Sequence, residues 1–242
     1  MNKRIIPILT IDKNYDLVKS IKYKNRNYIG CPINAVKIFN EKMCDELCIV
    51  NIDNVDIDLS KLSDIVSNCF MPVSYSGSIK NLDTVINLFK IGFEKIILNE
   101  SFFSNTDSFD FLKTICDIYG VQSIGLKIDF KKSLFGKYKT LKTKRDIFTI
   151  IELLSRIEVG EIIISNVTDD GTFSGYDLSL FNHFQNENTP VVIHGGASCD
   201  KDLLSMVNLG YDVAASSIFV YYGKHRAVLI NYKNGYEINE NM

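Results

Sequence analysis

Three observations predict an α/β fold in a single domain, a closed eight-stranded parallel barrel spanning residues 1–242. Short Ile/Val-rich runs recur at even spacing, segments of helix length separate them, and the second half of the chain repeats the first. The runs lie at 4–10, 46–52, 72–76, 95–99, 123–129, 161–165, 190–194 and 212–216. Strands that are apolar almost throughout belong to a parallel sheet covered on both sides, and strict alternation with helices is the pattern of βαβ units. Eight such units in 242 residues fit a closed (βα)8 TIM barrel better than an open sheet.

The connecting segments carry helix signals in turn. Pro32 opens NAVKIFNEKM, Ser-Asp and Asn-Leu-Asp signal caps near Asp64 and Asp83, and Gly92, Gly120, Gly160 and Gly210 mark helix ends. The repeat sets MPVSYSGSI (71–79) against TPVVIHGGA (189–197) at an offset of 118 residues. At the same offset LFKIGFEKIILNESFF (88–103) lies against MVNLGYDVAASSIFVY (206–221), with Gly92 opposite Gly210. Two consecutive units sharing one spacing mark two (βα)4 half-barrels.

Composition narrows the function. With 27 Lys+Arg against 29 Asp+Glu, no global field favours nucleic acid or an anionic membrane. No apolar run approaches the ~18 residues of a membrane span, and the stretch after Lys3 and Arg4 is too short for a signal peptide. The six cysteines form no CxxC pair, so they read as reduced, mostly buried thiols of a cytoplasmic protein. His183, His194 and His225 are too separated to suggest a metal triad, and neither metal nor cofactor is expected. His225 reads as a cap of the last turn.

Candidate chemistry collects at the C-terminal ends of the strands, the catalytic face of such barrels. In IHGGAS, Gly195 and Gly196 let backbone N–H groups approach an anion, and SYSGSI supplies Ser76, Gly77 and Ser78 at the repeat-related position. Ser216 and Ser217 end the eighth strand as Asn99 ends the fourth, so two phosphate sites on opposite sides of one mouth are expected, for a phosphorylated small-molecule ligand. Tight turns that merely need glycine are the competing reading. Asp129 closes SIGLKIDF and Asp170 follows the sixth strand, both placed for acid-base work or ligand binding, although Asp170-Gly171 also suits a turn. The basic stretch 131–145 reads as a solvated loop that overhangs this face and could attract an anionic sugar nucleotide, and Lys19, Lys22 and Lys24 add charge after strand one.

RIIPIL, DEL at 45–47, IDF at 128–130, GEIIIS followed by DGTFSGYD, and HGGA occur in order, and over residues 3–225 the chain resembles HisF, the cyclase family of imidazole glycerol phosphate synthase. Residues 28–42 and 219–232 resemble its WbuZ branch, associated with amidation of bacterial surface sugars. The resemblance implies two catalytic aspartates: the second falls on Asp129 and the first on Thr10, whose hydroxyl titrates far too high to move protons near pH 7. Asn51 stands where the family has an aspartate, Ser76 and Ser78 replace glycines, and Lys19 matches a family lysine.

Arg4, Glu46, Lys95 and Glu161 each begin a strand, and period-two alternation points Arg4 and Lys95 inward. By residue type alone they could form a solvated rim. The resemblance implies an ammonia gate at the barrel base, with a HisH-like glutaminase docked on that face and an ATP-dependent sugar amidotransferase as a further partner. The alternative it leaves is a genuine cyclase of histidine biosynthesis.

Overall fold

The computed structural model describes residues 3–53, 55–101, 108–185 and 189–233. Residues 102 and 103 of the first repeat segment and the ends of the expected domain lie outside them. Eight parallel strands form the barrel: β1 (Ile5–Ile11), β4 (Leu47–Asn51), β5 (Val73–Ser76), β6 (Lys95–Asn99), β7 (Ile124–Lys132), β9 (Glu161–Asn166), β10 (Val191–His194) and β11 (Asp212–Ala215). Each pairs with the next in that order, and β11 returns to β1 through Ile5 opposite Val213 and Ile6 opposite Ala214, which closes the sheet.

Side-chain alternation sorts the strands into two cores. Ile6, Ile8, Cys48, Ile97, Ile163, Val192 and Ala214 fill the barrel interior. The opposite parity, with Ile5, Leu9, Ile49, Tyr75, Ile96, Leu126, Ile164 and Ile193, packs outward against the helices. These are α1 (Pro32–Glu41), α2 (Leu59–Val66), α3 (Leu82–Lys90), α4 (Ser108–Tyr119), α5 (Ile147–Leu154), α6 (Leu178–Phe181) and α7 (Asp200–Asn208). Pro32 occupies the first turn of α1, where its missing N–H is no loss. Asn81 caps α3 by accepting from Thr84 N, close to the signal at Asp83. The signal at Asp64 is displaced: Asp58 caps α2, accepting from Ser60 N and Lys61 N, and Asp64 lies within the helix. The offset of 118 residues carries β5 onto β10 and α3 onto α7, as the repeat requires.

Three features depart from a plain alternation. β2 (Leu17–Ile21) and β3 (Lys24–Gly30) form an antiparallel hairpin off the end of β1. β8 (Tyr138–Thr140) folds back on the extension of β7, so the basic stretch expected to be a loop is a second hairpin. After β11 the described residues hold one 3-10 turn, Ser217–Phe219, and a small hairpin of β12 (Tyr221–Tyr222) and β13 (Ala227–Val228). His225 sits in the tight turn of that hairpin and caps no helix. Tyr232 then buries its ring against Phe39 and Phe219 and donates its hydroxyl to Ile5 O at 2.9 Å, fastening the tail to the barrel wall. All six cysteines are free thiols, and Cys31 and Cys199 are exposed rather than buried.

Candidate functional site

The barrel mouth opens into a cavity of about 540 Å³. Ten of the expected residues line it: Thr10, Lys19, Ser76, Gly77, Ser78, Asn99, Asp129, Asp170, Ser216 and Ser217. Gly195 and Gly196 line an adjoining cleft shared with Asp170, Ser216 and Ser217. The two halves of the chain thus converge on one mouth, as the repeat suggests.

Both glycine turns answer to packing as well as to any ligand. A Cβ at Gly195 would stand 2.4 Å from Asn166 O, and one at Gly196 2.2 Å from Gly175 O, with φ of +96° and +113°. Gly175 N also donates to Gly196 O at 2.8 Å, so the sixth and seventh turns interlock. Gly77 is held likewise, 2.7 Å from Asn51 O.

A chain of polar groups spans the mouth. Lys127 and Asp129 share the inward face of β7, two residues apart, and form a buried ion pair. Lys127 Nζ also donates to the Tyr23 hydroxyl at 2.9 Å, which donates in turn to Asp129 Oδ1 at 2.8 Å. The Tyr23 oxygen lies 3.1 Å from Ser165 Oγ, Ser165 Oγ lies 2.9 Å from His194 Nδ1, and His194 Nε2 faces Asp170 Oδ1 at 3.5 Å. The β2–β3 hairpin brings Tyr23 here: Lys22 N donates to Asp170 O at 3.0 Å, and Ser20 O packs so close to Gly171 that a Cβ there would sit at 2.6 Å.

Electrostatics assigns these groups different states. Burial raises the Asp129 carboxyl, but the Lys127 ammonium and the Tyr23 hydroxyl outweigh it and hold the group below the ordinary carboxylate value. Burial lowers the Lys127 ammonium, and Asp129 more than reverses that. Burial, helped by Lys127 and Lys19 and opposed by Asp129, takes His194 down to about 3, so its imidazole is neutral near pH 7. Asp170 is pushed up to about 6, mainly by burial, with Lys19 and Lys127 working against the rise. Lys19, buried and donating to Ile8 O at 3.0 Å, is brought down to about 7 by burial, with Asp170 opposing. Ser216 Oγ donates to the same carbonyl at 3.0 Å. Thr10 lines the cavity as a neutral hydroxyl, and Asp12 is turned away into its own loop, accepting from Asn14 N and Asp16 N.

At the other end of the interior, Arg4, Glu46, Lys95 and Glu161 meet as the alternation indicates. Arg4 reaches Glu46 at 2.5 Å and Glu161 at 2.9 Å, and Lys95 reaches Glu46 at 3.0 Å and Glu161 at 2.8 Å. Asp212 joins them, 2.7 Å from Arg4 Nη2, making a ring of two cations and three carboxylates. Burial disfavours the Arg4 charge, and Glu161, Glu46 and Asp212 together raise its pKa regardless. Gly125 leaves room for this ring, since a Cβ there would sit 3.2 Å from Glu161 Cγ.

Sequence reasoning missed Lys127, Tyr23, Ser165 and Asp212. Parity could have found Lys127 and Asp212: each stands at an inward position of its strand, Lys127 in step with Asp129 and Asp212 in step with Ser216. Tyr23 had no such signal, because its position depends on a hairpin docking against a distant turn.

The sequence is similar to that of several known proteins. The family described as "Histidine biosynthesis protein" matches residues 4–226. The chain is 36% identical over 245 residues to "Putative imidazole glycerol phosphate synthase subunit hisF2" of Pseudomonas aeruginosa, covering 96% of each chain. It is 38% identical over 248 residues to "Putative imidazole glycerol phosphate synthase subunit HisF" of Leptospira interrogans, covering 97% of this chain and 96% of the relative. It is 30% identical over 228 residues to "Imidazole glycerol phosphate synthase subunit HisF" of Exiguobacterium sibiricum, covering 90% of each.

Proposed function

The chain belongs to the histidine biosynthesis protein family, and from that membership we propose that it works as a HisF-like ammonia relay. In this reading a HisH-type glutaminase docks on the barrel base in the cytoplasm and ammonia enters past the ring of Arg4, Glu46, Lys95, Glu161 and Asp212. It crosses the interior and leaves at the mouth, where an ATP-dependent amidotransferase attaches it to a bacterial nucleotide sugar. The cavity holds a phosphorylated ligand, with one phosphate near Gly195, Gly196, Ser216 and Ser217 and another near Ser76, Gly77, Ser78 and Asn99.

The observation that carries the proposal is the state of Asp129. A cyclase of the family pattern needs two proton-transfer carboxylates at the mouth. Here Lys127 neutralises one in a buried ion pair, and Thr10 stands in place of the other. General acid-base catalysis contributes typically ~10² to 10⁴-fold per step, so the loss is large. The higher identity to the Pseudomonas and Leptospira relatives than to the Exiguobacterium HisF agrees with a divergent branch.

A genuine cyclase is the second reading. It is favoured by Asp170 near 6 and Lys19 near 7, two groups whose values suit proton transfer near neutrality. The deciding experiment mixes the purified chain with ammonium salt and the phosphorylated ribulosyl intermediate and follows imidazole glycerol phosphate directly. The relay reading expects none above background. It also expects none from Thr10→Asp alone, because Asp129 stays paired, and turnover to emerge only in Thr10→Asp/Lys127→Ala. Robust turnover by the wild type overturns the relay.

A further inference from the structure

We infer that the β7–β8 hairpin is the docking knob for the protein that accepts ammonia at the mouth, with Leu134 and Phe135 inserting into an apolar pocket rimmed by carboxylates. The inference rests on the relay reading.

The two side chains form the hairpin tip and are 103% and 92% exposed, so neither buries apolar surface against the described residues. The backbone that carries them is held in place. The strands pair through Phe130 with Thr140, Lys131 with Lys139 and Lys132 with Tyr138, and Ser133 N donates to Lys137 O at 2.8 Å across the turn. Lys132 Nζ bonds Asp177 at 2.8 Å and lies over the Tyr138 ring, while the Tyr138 hydroxyl also bonds Asp177. This ties the hairpin to the N-cap of α6. A knob fixed before binding loses little entropy when it docks, and buried aromatic and aliphatic anchors dominate the energetics of such contacts.

The position selects the occupant. The hairpin extends the strand that carries Asp129, and Leu141 and Lys142, directly after β8, line the mouth cavity. Leu141 N donates to Asp129 O at 2.7 Å, so the root of the knob is the cavity wall. A body seated on the tip therefore covers the opening through which ammonia leaves. The exposed Lys131, Lys137 and Lys139 flank the tip in a chain whose overall charge is only -2. Local positive charge of this kind speeds association with an acidic surface and orients it.

The test uses the full chain with its HisH-type glutaminase and the purified amidotransferase. Leu134→Ser/Phe135→Ser is expected to raise the Kd for the amidotransferase, measured by sedimentation, at least ten-fold and to lower glutamine-driven amidation by a similar factor. Glutaminase stimulation, ammonium-driven amidation and melting temperature should not change. Lys131→Ser/Lys137→Ser/Lys139→Ser should slow association and flatten its salt dependence. Wild-type binding by the Leu134/Phe135 variant overturns the docking site and leaves the relay standing. If the wild type supports no glutamine-driven amidation at all, the relay reading falls and takes the docking site with it. The assignment is likewise overturned if the tip directs the chain to phosphatidylserine vesicles or to a second copy of itself, and not to the amidotransferase.

Discussion

Replacing Lys127 by Met tests the central ion pair directly. Lys127 and Asp129 are 10% and 11% exposed at their side chains, so the substitution leaves a largely buried carboxylate without its counter-charge. Breaking a buried pair on one side costs about 3–5 kcal/mol. For a chain of this length that corresponds to a melting temperature lower by roughly 6–20 °C. The pH dependence identifies the cause. In the wild type the depressed Asp129 contributes stability that is present above its unfolded value and is lost as pH falls through the folded one. Without Lys127, burial raises the carboxyl instead, so the deficit is full at pH 8 and shrinks as acid protonates Asp129. Urea unfolding of wild type, Lys127→Met and Lys127→Met/Asp129→Leu at pH 8 and pH 5 measures this, and the double variant should recover most of the loss. A deficit under about 1 kcal/mol, or one equal at both pH values, would refute the ion pair as the organiser of the mouth.

Lys19 provides a second pH test. Its folded value near 7 lies below the unfolded 10.5, so stability should climb from pH 7 toward 10.5, and Lys19→Met should flatten that slope in paired denaturant titrations. Gly196→Ala should cost on the order of 1–3 kcal/mol from its backbone conformation alone, more with the contact to Gly175 O, and calorimetry on the purified variant reads it. Lys95→Ala should raise the ratio of glutamine hydrolysed to product amidated while ammonium-driven amidation changes less; a ratio equal to the wild type's would leave the ring a structural feature only.

The barrel was legible because its signals are local. Ile/Val runs, Pro32, Gly92 and Gly210 act within a turn or two of themselves, and the repeat fixed the order of the units. The base ring was legible only in part from local signals: strand parity points Arg4 and Lys95 inward, while the family resemblance brought Glu46 and Glu161 to them. Where pairing is non-local the reading stopped short. Tyr23 reaches Asp129 only because the 20–22 backbone packs on the 170–171 turn, a contact between distant segments that no period encodes. The stretch 131–145 read as a loop because its lysines mask the alternation, yet Lys132 and Tyr138 supply a cross-strand pair and Gly136 a left-handed turn. Asp58 outcompeted Asp64 as a cap because it precedes the apolar face formed by Leu62, Ile65 and Val66.

The interior of the barrel is stratified like a lipid bilayer in cross-section. A charged stratum at the base and one of mixed charges and hydroxyls at the mouth enclose a middle dominated by Ile6, Ile8, Cys48, Ile97, Ile163, Val192 and Ala214. In the proposed relay, solubility and diffusion through that middle would govern what crosses it. A small uncharged solute partitions into the middle stratum at modest cost, whereas an ion must shed its hydration with little beyond the Ser74 hydroxyl and the Cys48 thiol to replace it. On the relay reading, such partitioning would separate ammonia from ammonium without a dedicated filter residue. On that reading Ala214→Leu, by filling the middle of the barrel, should lower glutamine-driven amidation while ammonium-driven amidation is unchanged, which paired assays with glutamine and with ammonium salt measure.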